Sequence, residues 1–275
     1  MREPTVPVIC LRVLSVVAVL SGASGCASAP SPDDPDAVAE FLQVNDPMEP
    51  VNRDVFEVNR VLDKAVLKPV ATVYKAAAPE FVRTRVSNFL ANLRSPVIFA
   101  NDVLQGEFKR AATTFLRFFI NTTIGVGGMN DMASALEIEG HDEDFGQTLA
   151  VWGVEEGPFV MLPLFGPSNP RDTVGLVVDF VFDPLRMWAS NTDSNYVPLA
   201  RAGADAVDIR SENLEVLDDL EKSSLDFYAA IRSLYRQRRA DAVSNGAGSA
   251  TVPAPGIGEL PGGPTLEAAE ELSRR

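Results

Sequence analysis

Residues 172–183 read DTVGLVVDFVFD and decide what kind of fold this chain can adopt. On a helix that advances 100° per residue, one thin polar stripe collects Asp172, Gly175, Asp179 and Asp183, and apolar side chains cover the rest. Unpaired carboxylates are unstable in hydrocarbon, so this stripe must face water or partner cations. The pattern fits a lipid-embedded helix beside a wet passage. It equally fits a core helix whose aspartates pair with arginines, for which Arg171 and Arg186 are the nearby candidates.

A second stretch, residues 113–124, is apolar on nearly every side of the predicted helix. Its axis is surrounded by Phe115, Leu116, Phe118, Phe119 and Ile120, and Arg117 is its only charge. A helix of this kind is buried in a protein core or in lipid. No stretch reaches 18 uncharged apolar residues, so we do not expect single helices to span the membrane.

The first helix of the folded body is amphipathic and basic. Arg53, Arg60, Lys64 and Lys68 fall within a narrow arc, and apolar side chains such as Val58 occupy the opposite side. Such a helix can lie in the membrane interface with its cations toward anionic headgroups. The alternative, which periodicity alone favours, is a surface helix packed on a protein core.

Helix start and stop signals recur between residues 45 and 243. Starts are predicted at Asp46-Pro47, Ser95-Pro96, Asp144 with Gln147, Asn169-Pro170 and Asp183-Pro184, and stops at Gly106 and Gly153. Residues 205–242 predict one long helical segment, acidic at first and basic at its end. The best strand-like run is 159–165, which Pro163 confines to an edge. The predicted fold class is therefore mainly α.

The first 26 residues predict a bacterial lipoprotein. Residues 1–25 form a signal peptide, and its apolar run, residues 13–20, is too short to span a bilayer. Residues 20–26, LSGASGC, resemble a lipobox, which makes Cys26 the lipid-attachment site. Ala27 and Ser28 follow without an aspartate, which in Gram-negative lipoproteins implies sorting to the outer membrane. The alternative is ordinary cleavage near Ala27 or Ala29, which leaves a soluble periplasmic protein.

Composition shifts divide the rest of the chain. Residues 26–44 are rich in proline, serine, alanine and aspartate and are expected to form a flexible tether. Residues 45–243 form the folded domain, and residues 244–275, which collect glycine and proline, are expected to be a disordered tail.

The charge and the residue counts exclude several classes of function. The chain has 38 acidic and 24 basic side chains, a formal charge of −14, which disfavours nucleic acid as a partner. A single histidine, His141, excludes a two-histidine zinc site, and neither a GxSxG motif nor a P-loop lysine occurs. The segment from His141 to Asp144 predicts an exposed turn rather than a metal site. We expect no catalytic residue, no metal and no cofactor, and hence not an enzyme.

Several motifs occur in an order that matches a known family. They are NDPMEPVNR at 45–53, SNFLANL at 87–93, NDVLQG at 101–106, RFFINTTIGVGG at 117–128, EDFGQTL at 143–149 and WGV at 152–154. With these segments the chain resembles the MlaA family, also called VacJ, of outer-membrane lipoproteins.

The resemblance implies a fold and a function. The fold would be a single-domain ring of helices partly embedded in the inner leaflet of the outer membrane, facing the periplasm, with an amphipathic pore. Phospholipids mislocalised in the outer leaflet would pass through it to a periplasmic lipid shuttle of the MlaC type. This is retrograde phospholipid transport, which maintains lipid asymmetry. A trimeric porin of the outer membrane would be a further partner.

Two site assignments accompany the resemblance. Asp172 and Asp179 are expected to face the pore, and the loop with Gly125, Gly127 and Gly128 is expected to be a mobile element near it. Two other functions remain open. One is a membrane-anchored lipid hydrolase with an unrecognised carboxylate or serine site, and the other is a structural lipoprotein that only braces porins.

Overall fold

The computed structural model describes residues 44–194 and 196–245, and helices dominate this part of the chain. The helices are α1 (Glu49–Leu62), α2 (Lys68–Ala77), α3 (Glu80–Gln105), α4 (Phe108–Thr123), α5 (Met132–Ala135), α6 (Phe145–Val151), α7 (Pro170–Phe182), α8 (Pro184–Asn191), α9 (Tyr196–Glu212), α10 (Leu214–Ser223) and α11 (Phe227–Val243). A π-helical turn, Asp63–Leu67, joins α1 to α2. The mainly α prediction is confirmed. The signal peptide, Cys26, nearly all of the tether and the tail beyond residue 245 lie outside the described residues.

Three predicted helix starts are confirmed, and each rests on a local capping bond. The side chains of Asp144, Asn169 and Asp183 accept hydrogen bonds from backbone N–H groups two or three residues later, where α6, α7 and α8 begin. The predicted stop at Gly106 is also confirmed, since its left-handed conformation (φ 79°) ends α3.

Two predicted helix starts are wrong. Helix α3 continues through Pro96, which lies inside it, so Ser95 does not open a helix. Asp46 does not cap α1, which begins at Glu49 after an N-cap position at Met48 that has no side-chain cap. The reason is that the Asp46 carboxylate is occupied elsewhere, by donors from α1 and α11.

The long helix predicted for residues 205–242 is divided into parts of α9, α10 and α11. The break before α11 is stabilised by Asp226, whose side chain accepts a hydrogen bond from the Ala229 N–H. The break allows α10 to lie against α1 and α2, where its carboxylates meet basic side chains. The helical periodicity of this segment therefore did not reveal where its helices end.

The strand-like run forms a short hairpin that lies on α1. Strand β1 (Val160–Leu162) pairs antiparallel with β2 (Gly166–Ser168), and Pro163 follows β1 directly. Asn52 and Asn59 project from one face of α1 and bond the hairpin through backbone groups of residues 159, 161, 162 and 164. The side-chain amides of Asn52 and Asn59 thus pair with backbone groups of the hairpin that a further strand would otherwise pair with.

The buried apolar core is small. Its main cluster contains Phe56, Phe159, Met161 and Tyr228, and it joins α1, the hairpin and α11. Many large apolar side chains point outward instead, on α1 and α2 (Val61, Val66, Val73), on α4 (Phe115, Phe119) and on α7 (Val177, Phe180, Phe182). The helices thus turn much of their apolar surface away from the protein.

Helices α6 and α7 approach each other closely at a glycine. A Cβ atom on Gly175 of α7 would lie 2.3 Å from the Gly146 nitrogen of α6, so only glycine at this position permits the approach. Gly175 belongs to the polar stripe of residues 172–183. In the stripe, the three aspartates carry charge, and Gly175 serves the packing of α7 against α6.

Candidate functional site

A cavity of about 700 Å³ lies between α3, α7, α9 and α11. Its wall is amphipathic, because apolar side chains such as Leu90, Leu176 and Phe180 alternate with charged ones. Eight carboxylates and three arginines line it. The polar stripe of α7 supplies three of these carboxylates: Asp172, Asp179 and Asp183. Of the two alternatives for the stripe, pairing with cations is observed for Asp172 and Asp183, and Asp179 has neutral hydrogen-bond donors.

Asp172 lies in the cavity wall and pairs with an arginine. Its carboxylate is 2.7 Å from both Nε and Nη2 of Arg239, and it accepts a hydrogen bond from the Tyr235 hydroxyl at 2.6 Å. Arg171 is a second partner, at 3.1 Å. Only 10% of the Asp172 side chain is exposed. The alternative of an arginine-paired aspartate thus describes Asp172, although its main partner comes from α11, far away in the sequence.

Arg239 joins two carboxylates in this wall. It also contacts both oxygens of Asp144, at 2.6 and 2.8 Å. Burial would raise the pKa of Asp144, but the hydrogen bonds and the charge of Arg239 outweigh it and lower that pKa to about 2. Burial and the hydrogen bond to Asp172 raise the pKa of Tyr235. In this part of the wall, Asp144 and Asp172 are both neutralised by ion pairs with Arg239.

Asp179 has neutral partners only. It accepts hydrogen bonds from the Phe145 N–H at 2.9 Å and from the Asn101 side chain at 3.1 Å. Burial raises its pKa, since no guanidinium or ammonium group lies within 4 Å of it among the described residues. Asp183, the last residue of the stripe, pairs with Arg201 at 2.6 Å. Arg186, named from the sequence as a partner, lies over the Phe180 ring at 3.6 Å.

Helix α9 supplies the opposite wall of the cavity. Arg201, Asp205, Asp208 and Glu212 follow one another along one face of this helix. Asp208 and Glu212 share the Ser87 hydroxyl of α3, whose oxygen is 2.6 Å from one carboxylate and 3.2 Å from the other. The sequence predicted only a long helical segment with an acidic first half here, and long-range packing brings Asp208 and Glu212 to the cavity.

The segment from His141 to Asp144 is not the exposed turn that the sequence predicted. Glu143 is fully buried and accepts hydrogen bonds from Arg110 at 2.6 Å and from Gln105 at 2.8 Å. His141 contacts the buried Asp102 at 2.8 Å. Burial raises the pKa of Glu143 despite these partners. The segment fastens α3 to α4 behind the cavity wall, and the described residues contain no group of three that could hold a metal ion.

The basic side of α1 and α2 faces protein. Arg53 pairs with Asp226, Arg60 and Lys64 with Glu221, and Lys68 with Asp218. This is the packing that the alternative of a surface helix requires. Contact between these four cations and lipid headgroups stays a prediction. The opposite side of α1 and α2, with Val58, Val61 and Val66, is exposed.

The glycine loop after α4 is held by backbone hydrogen bonds. The N–H groups of Gly127 and Gly128 donate to the carbonyls of Thr122 and Asn121, and both glycines have positive φ angles. A Cβ on Gly128 would lie 2.4 Å from that of Asn92, so the loop packs closely on α3. Residues 125–128 do not line the cavity of about 700 Å³. Their mobility near a pore stays a prediction.

In the described part of the chain, no helix is both long and apolar enough to cross a bilayer. The exposed apolar faces of α1, α2, α4 and α7 nevertheless exceed what scattered surface residues explain. Apolar patches of this kind mark contact with a membrane or another protein.

Comparison with known proteins places the chain among bacterial lipoproteins. The model of the MlaA lipoprotein family matches residues 44–242. An uncharacterised protein of Rickettsia typhi is 37% identical over 201 residues, which cover 72% of this chain and 78% of that protein. The intermembrane phospholipid transport system lipoprotein MlaA of Haemophilus influenzae is 34% identical over 207 residues, 74% of this chain and 80% of that protein.

Two further matches agree. The protein of the same name from Escherichia coli K12 is 34% identical over 208 residues, 74% of this chain and 79% of its own length. A solved structure on the structural basis for maintenance of bacterial outer membrane lipid asymmetry has 32% sequence identity and a TM-score of 0.64, and the match covers 72% of this chain and 98% of that one. From its sequence, its fold and these relatives, the chain belongs to the MlaA lipoprotein family.

Proposed function

We propose that this protein removes mislocalised phospholipids from the outer leaflet of the outer membrane through its cavity and passes them to a periplasmic carrier. The observation that carries the proposal is the inverted distribution of polarity. Large apolar side chains cover the outside of α1, α2, α4 and α7, and charged and polar side chains line a cavity of about 700 Å³ inside. A phospholipid needs both environments along its path.

The exposed apolar faces support partial embedding in one leaflet. Each buried square ångström of apolar surface gains about 25 cal/mol, so placing side chains such as Val73 and Phe119 in hydrocarbon is strongly favourable. No described helix can cross the bilayer, which agrees with a protein that enters one leaflet only. We propose that Cys26 carries acyl chains that add to this attachment, since two or more chains give stable anchoring.

The relatives support the transport role. The Haemophilus influenzae and Escherichia coli proteins are named as lipoproteins of an intermembrane phospholipid transport system, and the solved structure concerns outer membrane lipid asymmetry. For this chain we propose retrograde transport, a location at the periplasmic side of the outer membrane, a trimeric porin as a neighbour, and an MlaC-type shuttle as the acceptor. Asp172 and Asp179 would be pore-facing, and the loop with Gly125, Gly127 and Gly128 would move near the pore.

A cavity-filling variant tests the channel. Ala91 lies on α3 and lines the cavity, so Ala91→Trp places an indole in the proposed path. Ala206→Trp is the control, since Ala206 is exposed on α9 and does not line the cavity. In a strain that lacks the native gene, we expect the control to restore low outer-leaflet phospholipid and Ala91→Trp to fail. Equal restoration by both variants contradicts transport through this cavity.

The same strains separate the two other functions. A structural lipoprotein that braces porins leaves outer-leaflet phospholipid unchanged when its gene is deleted. A lipid hydrolase releases fatty acid or lysolipid from labelled phospholipid incubated with the purified protein. We expect a rise in outer-leaflet phospholipid on deletion of the gene and no released product, because the named relatives belong to a phospholipid transport system.

A further inference from the structure

The cavity is strongly acidic although a phospholipid carries a negative phosphate. Among its lining residues, eight carboxylates face three arginines and no lysine. Two of the arginines are engaged by short ion pairs, Arg239 with Asp144 and Asp172, and Arg201 with Asp183. Arg94 is less engaged, since its one ion pair with a described residue, Asp142, is 3.9 Å long and 47% of its side chain is exposed. Arg94 is therefore the lining cation that a phosphate can reach.

Asp179, Asp208 and Glu212 form no ion pair with any described residue. Asp208 and Glu212 both contact the Ser87 hydroxyl, at 2.6 and 3.2 Å, and Asp208 accepts one further, longer hydrogen bond from the Tyr74 hydroxyl at 3.3 Å. A serine hydroxyl has one hydrogen to donate, so at any moment one of the two carboxylates lacks this donor. An ammonium group has three N–H donors and a positive charge, and it matches the unmet demand of this pair.

An apolar cleft adjoins the acidic cavity. It has a volume of about 490 Å³ and is lined mainly by apolar residues of α3, α6 and α7, among them Ala100, Leu104, Phe145 and Val178. Val97 and Asp179 line both the cleft and the cavity. The two spaces are therefore close enough for an acyl chain in the cleft and a headgroup in the cavity to belong to one lipid, with Asp179 where the two spaces adjoin. The two adjoining spaces together match an amphiphile rather than a free cation.

From this arrangement we infer that the cavity selects phospholipids whose headgroup carries an ammonium, such as phosphatidylethanolamine, over those whose headgroup is anionic overall, such as phosphatidylglycerol. The inference rests on the proposed function and specifies its substrate. The phosphate of either lipid can approach Arg94. The ethanolamine ammonium then meets Asp208 and Glu212, whereas the glycerol headgroup leaves a net negative charge among carboxylates without cationic partners.

A competition experiment tests the selection. The full lipid-anchored chain is exchanged into mixed micelles that contain equal amounts of phosphatidylethanolamine and phosphatidylglycerol with identical acyl chains, and the lipids that remain bound after purification are quantified by mass spectrometry. We expect about a tenfold enrichment of phosphatidylethanolamine, as one favourable charge contact in a partly screened cavity provides.

Matched variants locate the source of the enrichment. Asp208→Asn with Glu212→Gln should bring the ratio close to one. The control, Asp219→Asn with Glu57→Gln, removes the same charge at exposed positions outside the cavity and should keep the enrichment. Since Asp208 is buried and its substitution can disturb folding, Glu212→Gln alone is the second test. Glu212 is exposed, and its single neutralisation should lower the ratio by part of the full effect.

The outcomes distinguish the two levels of the proposal. Equal binding of the two lipids, or an excess of phosphatidylglycerol, overturns the headgroup selection and leaves the transport function standing. A ratio that the control pair changes as much as the cavity pair also overturns it. Binding of neither lipid overturns both. Retention of both lipids by the wild type and loss of both by Ala91→Trp would show that the measured lipid occupies the cavity.

Discussion

Asp46 and the pair of Asp208 and Glu212 are acidic groups that differ in how many hydrogen-bond and ion-pair partners the protein gives them. Asp46 is almost fully buried and accepts short hydrogen bonds from Asn52, Tyr228 and Arg232. Asp208 and Glu212 share the Ser87 hydroxyl, Asp208 also accepts a longer hydrogen bond from Tyr74 at 3.3 Å, and neither carboxylate forms an ion pair with a described residue. Both oxygens of Asp46 accept short hydrogen bonds, one of them from a guanidinium, whereas Asp208 has only hydroxyl donors and one oxygen of Glu212 accepts no hydrogen bond from the described residues.

We interpret this difference as one between a charge that stabilises the fold, Asp46, and charges that can bind a ligand, Asp208 and Glu212. A buried ion that is fully paired contributes to stability mainly because removal of one partner leaves the other uncompensated. A carboxylate that lines a wet cavity without a partner contributes little to the fold, and its field is available to a bound molecule. Four substitutions test the comparison, and their expected effects on stability decrease from the first to the last.

The largest loss of stability is expected for Asp46, the carboxylate with the most protein partners. Asp46→Asn removes the charge that pairs with Arg232 at 2.7 Å and leaves the guanidinium with Glu49 alone, at 3.3 Å. We expect the free energy of unfolding in denaturant to fall by about 3 kcal/mol, the lower end for a broken buried ion pair. Asp54→Asn is the control, because Asp54 is exposed on the same helix and should change stability by less than about 0.5 kcal/mol. Equal effects would contradict the structural role of Asp46.

The second loss involves Arg239 and depends on pH. The pKa of Asp144 is lowered from 3.8 to about 2. The stability that this carboxylate contributes is therefore fully present above pH 4 and is lost as the pH falls toward 2. We expect Arg239→Met to reduce the free energy of unfolding at pH 7 by roughly 2 kcal/mol, with a difference that shrinks as the pH approaches 2.

Arg238→Met provides the control for this pH dependence, because Arg238 is the exposed neighbour of Arg239 on α11. Its unfolding curve should follow that of the wild type at every pH. A deficit for Arg239→Met that stays constant between pH 7 and pH 2 would show that the effect comes from packing and not from Asp144 and Asp172.

The sequence predicted the elements whose causes are local. Asp144, Asn169 and Asp183 cap helices through atoms two or three residues away, so these starts are readable from the chain itself. Asp46 shows the same capping pattern, but its partners Tyr228 and Arg232 are 182 and 186 residues away. A pattern over four residues cannot reveal a competitor that far along the chain.

The candidate site was predictable only in part for the same reason. The stripe with Asp172 and Asp179 was identified from periodicity, and both residues line the cavity. Asp208 and Glu212 were not identified, because their position opposite α3 depends on how α9 packs. The outward apolar faces were ambiguous as well, since lipid and protein core select the same residue types.

The third substitution tests the stripe itself. Asp179→Leu removes the acceptor for the Phe145 N–H and the Asn101 side chain, and it places an apolar group where the cavity and the cleft meet. We expect a stability loss of about 1 kcal/mol and a clear fall in phospholipid transfer to an acceptor carrier. Asp219→Leu on the exposed face of α10 should leave transfer intact. Unchanged transfer in the Asp179 variant would contradict a pore-facing role.

The smallest effect on stability is expected for Asp208→Asn with Glu212→Gln, the two carboxylates that form no ion pair with a described residue. Both replacements keep an oxygen that can accept from Ser87, and both remove a negative charge that no described cation balances. Relief of like-charge repulsion offsets any weakening of the hydrogen bonds, so the free energy of unfolding should change by less than about 1 kcal/mol. If denaturant unfolding instead shows a loss as large as that of Asp46→Asn, these carboxylates hold the fold. The distinction between structural and ligand-binding charges in this protein would then fail, because unmet acceptors beside a cavity would no longer mark a site for lipid.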